Sequence, residues 1–88
     1  MNEELQIEFW LLERKGDMKA PELADFPVEL VQDIRSDLYA AEHMEDRTNR
    51  YGPNESGEYN VVTLTYLTKP GHTRLGVLRK KMRDAGKL

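Results

Sequence analysis

Apolar residues recur at helical spacing along the first segment of the chain, residues 3–15. Leu5, Phe9 and Leu12 fall at i, i+4 and i+7, and glutamates occupy the first turn, where they suit the positive end of a helix dipole. Gly16 follows as a stop signal. The same segment also has apolar residues at every second position, which would fit a strand. We predict a helix; a strand here would replace the whole layout by a βαβα arrangement.

Two further helices are predicted before residue 43. Residues 18–25 indicate a short helix with Pro21 in its first turn, and it ends before Pro27, because a residue that precedes proline avoids the helical region. Residues 27–42 have the clearest helical pattern of the chain. One arc of this helix is polar, and the opposite, apolar arc consists of Leu30, Val31, Ile34, Leu38 and Ala41.

A β-hairpin and a last helix follow. Turn-forming residues cluster at 52–57, between a weak strand signal at 43–51 and a strong one at 58–68, where β-branched and aromatic residues dominate. Thr68 is then an N-cap, and Pro70 lies in the first turn of the next helix. The apolar seam of that helix is Leu75, Leu78 and Met82. The chain of 88 residues is short enough that we expect one domain.

The net charge of −3 conceals a division of charge between the two halves of the chain. Residues 1–46 carry four basic and thirteen acidic side chains, a net charge of −9, whereas residues 47–88 carry nine basic and three acidic ones, a net charge of +6. This asymmetry indicates either an acidic partner, such as nucleic acid, or attraction between the halves within the fold. For the basic residues of the last helix we favour neutralisation of the acidic first helix, in the same chain or in a partner chain.

Composition limits the classes of function. The chain has no cysteine, so disulfides, thiolate metal sites and thiol nucleophiles are excluded and a reducing compartment fits. No apolar run approaches the roughly 20 residues of a membrane span, and the acidic first residues do not resemble a secretory signal. We therefore expect a cytoplasmic protein without a membrane partner. The two histidines, His43 and His72, lie too far apart to predict a metal site, and no catalytic motif is present, so we expect neither an enzyme nor a cofactor.

Two helices joined by a tight turn and followed by a hairpin are the layout of a winged helix-turn-helix. The chain resembles that family, near its MarR and PadR type regulators, in four segments that occur in the family's order: Leu11–Gly16, Met18 with Glu22–Ala24, Val31–Ala41, and Leu67–Gly71 with Leu75. The last segment is similar to the Leu-Thr-x-x-Gly-x-x-x-Leu that leaves the wing. The chain departs from the family pattern at Glu42, where a glycine is usual, and at Lys19, where Ser or Thr is common.

The resemblance implies an α+β winged helix-turn-helix that binds double-stranded DNA as a small transcriptional regulator. Residues 27–42 would enter the major groove, and the wing, residues 43–68, would contact the backbone or minor groove. The candidate DNA-binding side chains are Lys19, Gln32, Arg35, Ser36, Tyr39, Arg47, Arg50 and Asn54. We expect the two wing arginines to matter most for affinity, because basic charge is nearly absent from the preceding helix. Glu29 and Asp33 on that helix oppose binding, since phosphates repel carboxylates.

In the resembled family the terminal helices usually build a dimer, which implies a homodimer through the first and last helices. The side chains expected at this interface are Leu5, Trp10, Leu78 and Met82. Trp10 lies beside the main apolar stripe, where an exposed tryptophan would anchor an interface. The acidic residues 1–46 support a different function, a protein-binding module or a small viral or mobile-element inhibitor. A steep salt dependence would distinguish DNA binding from that alternative.

Overall fold

Three α-helices and one antiparallel β-hairpin make up the fold, which a computed structural model describes over residues 1–88. The elements in chain order are α1 (Glu3–Glu13), one 3-10 turn (Pro21–Leu23), α2 (Val28–Ala40), β1 (Met44–Tyr51), β2 (Asn60–Leu67) and α3 (Lys69–Asp84). The predicted α+β class is confirmed, and the order of elements is compatible with a small winged-helix-like layout. The strand alternative for residues 3–15 is wrong, since this segment forms α1.

The prediction of a short helix at residues 18–25 is wrong. Only Pro21–Leu23 is helical, as a single 3-10 turn. Pro21 fixes the start of this turn, and Pro27 keeps Phe26 out of the helical region, so little more than one turn fits between the two prolines. The two-helix motif predicted before the hairpin is therefore α2 preceded by one helical turn.

Buried apolar side chains extend from α1 in two directions. Ile7 and Leu11 lie opposite Phe9 and Leu12 around the helix, and each of the four is at most 1% exposed. α1 packs against both α2 and α3, which make little contact with each other. The apolar residues of α1 serve two neighbouring helices and so do not form one narrow stripe, which is why the pattern of this segment also fits a strand.

Two ion pairs join α1 to α3, and their order shows that the helices run parallel. The Nε and Nη2 atoms of Arg74 donate to the Glu8 carboxylate at 2.7 and 2.9 Å, and Nη2 of Arg79 donates to Glu13 at 2.7 Å. The hydrogen bonds from Arg74 to Glu8 raise the pKa of Arg74. For these two arginines, the attraction between the basic and acidic halves acts within one chain.

The hydrophobic core draws on all three helices, the 3-10 turn and the first residue of β1. Its members are Ile7, Phe9, Leu11, Leu12, Ala20, Leu23, Val31, Leu38, Met44, Leu75, Leu78 and Met82. β2 adds only the half-buried Leu67 beside this cluster. No helix of the fold combines the length and the apolar character that a membrane span requires.

The hairpin projects from this helical base. Its register runs from Met44 opposite Leu67 at the base to Tyr51 opposite Asn60 near the tip. Only Met44 is fully buried, and most of the outer part of the hairpin is exposed. The molecule accordingly measures 53 × 26 × 23 Å, with a radius of gyration of 15.7 Å, against about 12 Å for a compact domain of this length.

Candidate nucleic-acid interface

A polar cluster fixes the hairpin to α2. The hydroxyl of Tyr39 donates to Asp46 Oδ1 at 2.6 Å, and the hydroxyl of Thr65, which lies opposite Asp46 in the hairpin, donates to the same oxygen at 2.9 Å. Because each hydroxyl has one hydrogen, the 3.3 Å separation of the two hydroxyl oxygens is a contact within the cluster rather than a third strong bond. We call Tyr39, Asp46 and Thr65 the Tyr39 clamp.

The clamp changes the acidity of its members. The hydrogen bond from Tyr39, and then that from Thr65, lowers the pKa of Asp46 because both favour the charged carboxylate. Partial burial, followed by the bond to Asp46, raises the pKa of Tyr39. At neutral pH the clamp therefore joins an ionised carboxylate to a protonated phenol, which is the stronger, charge-assisted form of the bond.

Arg35 extends the clamp to the loop that precedes α2. Its Nε donates to the carbonyl of Gly16 at 2.9 Å, and its guanidinium lies over the Tyr39 ring, 5.1 Å from the centroid. Arg35 and Tyr39 are both half-buried. The sequence predicts both as DNA contacts. Their intramolecular partners also hold α2, the loop and the hairpin together.

Thr68 fixes the other strand of the hairpin at its exit. Its hydroxyl donates to the carbonyl of Glu42 at 2.6 Å and accepts from the N–H of Gly71 at 3.1 Å, while its own N–H donates to the carbonyl of His43 at 3.1 Å. The N-cap predicted at Thr68 is confirmed. The Leu67–Gly71 segment therefore joins the end of α2 to the start of α3, and the hairpin is held at both of its ends.

The two hairpin arginines lie on opposite faces. Successive residues of a strand alternate between faces, and Asp46 belongs to the face that meets Tyr39 on α2. Arg50, four residues further along β1, shares that face, and its guanidinium lies over the Tyr59 ring at 4.0 Å from the centroid. It has no carboxylate within ion-pair distance.

Arg47 lies on the face that points away from α2. Its Nη2 donates to Glu45 Oε1 at 2.6 Å, and its guanidinium lies over the Tyr66 ring at 4.7 Å from the centroid. Arg47 and Arg50 thus differ in their neighbouring charge and in the face they occupy, although the sequence analysis predicts the same role for both.

The polar arc of α2 is exposed as the sequence predicts. Gln32 and Ser36 are exposed, and the helical repeat places them beside Tyr39, on the side that carries the hairpin. The acidic side chains Glu29, Asp33 and Asp37 are exposed as well, and none of them forms an ion pair. Carboxylates therefore outnumber cations on the exposed surface of this helix.

The two remaining DNA-binding candidates lie in loops. Lys19 is exposed, in the loop that Arg35 ties to α2, and its backbone N–H donates to Asp17 at 2.9 Å. Asn54 lies at the hairpin tip, where its Oδ1 accepts from the N–H groups of Ser56 and Glu58 at 3.0 and 2.9 Å. Lys19 keeps a free ammonium group, whereas the side-chain oxygen of Asn54 is used to shape the loop.

The residues predicted for a dimer interface do not form one exposed surface. Leu78 and Met82 are 0% and 1% exposed, and both belong to the core of the single chain. Leu5 and Trp10 are half-buried and pack against that core, with Trp10 edge-on to Phe9 at 4.9 Å between ring centroids. α1 and α3 pair with each other inside one chain, so they offer little apolar surface to a second copy.

The strongest positive surface lies at the end of α3, away from α2. Arg74 and Arg79 are neutralised by α1, but four further basic side chains are exposed and form no ion pair: Lys80, Lys81, Arg83 and Lys87. Within one chain, the predicted neutralisation of the basic end by the first helix holds for Arg74 and Arg79 alone.

One cavity of about 310 Å³ lies between the start of α1 and the end of α2. Its polar lining includes Glu4, Glu8, Asp37 and His43, but no group of three or more acidic, histidine or cysteine side chains has the geometry to hold a metal ion. The carboxylates give this cavity a negative character, which does not suit nucleic acid.

Comparison of the chain with protein-family models, with curated proteins and with solved structures finds no match.

Proposed function

We propose that this chain is a small DNA-binding module of winged-helix-like layout that acts in transcription regulation. The Tyr39 clamp is the observation that supports this proposal. It holds the exposed Gln32–Ser36 side of α2 and an unpaired arginine of the hairpin, Arg50, on the same side of the molecule. A protein that binds DNA through both a helix and a hairpin needs the two in a fixed relative position, because they must contact the same duplex at once.

Each side chain has a separate role in the proposal. Gln32 and Ser36 reach base edges in the major groove, where their hydrogen bonds discriminate between sequences. Arg50 takes a phosphate or enters the minor groove beside the hairpin, and Lys19 takes a phosphate on the flank of α2. Arg47 has no part in binding, because it faces away from α2 and is neutralised by Glu45.

The charge of this surface sets its expected strength. Arg50 and Lys19 are its two cations, and Glu29 and Asp33 oppose them. Two phosphate contacts predict a slope of about −2 in a plot of log affinity against log salt concentration, well below that of a strongly basic DNA-binding protein. Binding is therefore expected at low salt and at micromolar protein.

Fluorescence anisotropy with a labelled duplex at two salt concentrations tests the proposal. Arg50→Ala is expected to weaken binding and to reduce the magnitude of the salt slope by about one unit. Arg47→Ala, on the same strand and also exposed to solvent, is the matched control and is expected to bind as the parent does. Absence of binding by the parent at low salt, or equal loss in both variants, would contradict the proposal.

A protein-binding module is the second candidate function. The exposed carboxylates of Glu29, Asp33 and Asp37 along α2, none in an ion pair, favour it, because they match a basic partner. An oligolysine peptide used as a probe would bind the parent and lose affinity on Asp33→Asn. Such binding together with no DNA binding would favour this candidate over the first.

A further inference from the structure

The outer half of the hairpin has exposed apolar residues and no supporting element. The sheet has only two strands, and Val61, Val62 and Leu64 of β2 are 63%, 39% and 45% exposed. An isolated two-stranded hairpin is marginally stable in water, and a further strand or packing against a helix stabilises it. The helices support only the base of the hairpin, so a further strand beside the outer half would cover its exposed apolar residues.

The two edges of the hairpin differ in charge. β1 (MEDRTNRY) carries two acidic and two basic side chains, whereas β2 (NVVTLTYL) carries none. Charged side chains are a common means of blocking an open strand edge, and an uncharged strand rich in β-branched residues is a template for pairing. The edge of β2 is therefore the one open to a further strand.

The backbone groups on that edge follow from the hairpin register. The N–H of Thr68 donates to the carbonyl of His43, so this pair is hydrogen-bonded, and bonded and non-bonded pairs alternate along an antiparallel ladder. Val61, Thr63 and Thr65 accordingly direct their N–H and C=O groups outward. The 3.1 Å contact between the hydroxyls of Thr48 and Thr63 agrees, since side chains are closest in non-bonded pairs.

We propose that a second copy of this chain pairs its own β2 with this edge, in antiparallel orientation, to form a four-stranded sheet with β1 on both outsides. A two-fold axis at Thr63 places Val62 of one copy opposite Leu64 of the other, twice on the same face, and Val61 opposite Thr65. Because β2 has no charged residue, this register brings no like charges together. A second copy fits this edge because, in a two-fold interface, the same uncharged strand provides the apolar residues of both partners.

The size of this interface predicts a weak dimer. A stable protein interface uses roughly 20–30 residues of each partner, many more than one strand of this length supplies. We therefore expect a dimer that forms in the micromolar range and depends on concentration. The proposal goes beyond the function proposed above and does not rest on it, since it uses the outward backbone groups of β2 and no residue proposed to contact DNA.

Sedimentation equilibrium of the full chain, over a range of protein concentrations, provides the first test. The parent is expected to pass from monomer to dimer as concentration rises, and Thr63→Lys is expected to remain monomeric, because it places two lysines opposite each other at the axis. Thr48→Lys is the matched control, since Thr48 lies opposite Thr63 on the other edge and both variants lose the same hydroxyl contact. Circular dichroism confirms that both variants are folded.

Disulfide crosslinking provides the second test, which the absence of native cysteines makes specific. Across the axis the α-carbons of Thr63 are about 5.5 Å apart, within the range that a disulfide spans. Thr63→Cys is expected to crosslink readily under mild oxidation, and Thr48→Cys to do so at least tenfold more slowly. A parent that stays monomeric at every concentration, or equal crosslinking at the two positions, would overturn the proposal.

Discussion

The α-carbon of Gly71, in the first turn of α3, packs against the backbone carbonyl of His43, the residue that precedes β1. A Cβ at position 71 would overlap the carbonyl oxygen, so no other residue fits without movement of the backbone. The same carbonyl accepts the N–H of Thr68. Position 71 is therefore where the start of α3 and the two ends of the hairpin meet.

Gly71→Ala is expected to destabilise the fold by roughly 3 kcal/mol, the upper part of the range for overpacking, because the obstructing atoms are backbone and not a flexible side chain. Gly76→Ala in the same helix is the control, since a Cβ there meets nothing within 4 Å. That variant is expected to gain about 0.5–1 kcal/mol from helix propensity. Urea denaturation measures both, and a neutral Gly71→Ala would contradict the close approach.

Asp46→Asn is expected to reduce stability at neutral pH and to have little effect in acid. The pKa of Asp46 is lowered in the folded chain, so its contribution is present above the ordinary aspartate pKa of about 3.9 and disappears as pH falls through the lower, folded value. Thermal denaturation of parent and variant between about pH 7 and about pH 2.5 measures the difference. Glu22, whose pKa the bond from Arg14 lowers, is common to both proteins; a difference that stays constant with pH would refute the assignment to Asp46.

Tyr39→Phe removes the hydroxyl group from the Tyr39 clamp and leaves the aromatic ring under Arg35. We expect a loss of about 1 kcal/mol, the usual net value of one hydrogen bond, because water can reach the exposed Asp46 carboxylate and replace the phenol in part. Tyr51→Phe, on an exposed residue of the hairpin, should be neutral. If the clamp also orients the hairpin for DNA, Tyr39→Phe will lower DNA affinity further than its effect on stability explains.

Neutralising the carboxylates of α2 is expected to strengthen DNA binding without regard to sequence. Glu29→Gln and Asp33→Asn each remove a charge that phosphates repel, so affinity for a random duplex should rise two- to threefold at low salt, an effect of about 0.5 kcal/mol for one exposed charge. Gln32→Ala should instead lower discrimination between duplexes. Weaker binding of the random duplex by the two charge variants would contradict this repulsion.

The sequence predicts the long elements well, because their patterns have a local cause. α2, the strong strand and the N-cap at Thr68 all follow from periodicity or from the chemistry of one residue. Local sequence also draws attention to Glu42, because glycine is usual at this position in the resembled family. Glu42 has φ of +59°, in the left-handed region that favours glycine, so a glycine would suit the backbone conformation at this position.

The candidate site was predicted less completely, because it depends on strand register. The predicted strand limits would place Tyr51 opposite Glu58, whereas it lies opposite Asn60, and only the true register brings Thr65 opposite Asp46. The sequence pattern therefore does not reveal the Tyr39 clamp, and for Tyr39 it predicts only a DNA contact. The alternation of faces along β1 could have separated Arg47 from Arg50, but the side that meets α2 was not available from local pattern.

The position of α1 between α2 and α3 has a consequence for the order of folding. The contact between Glu8 and Arg74 spans 66 positions of the sequence, and the side of α1 that it covers stays open to water until α3 has been synthesised and has closed this long loop. The entropic cost of such closure grows only slowly with loop length, but contacts between residues this far apart in the sequence slow folding. The helix made first therefore completes its burial last, and a ribosome-bound chain that ends within the hairpin is expected to expose α1 to chaperones and proteases.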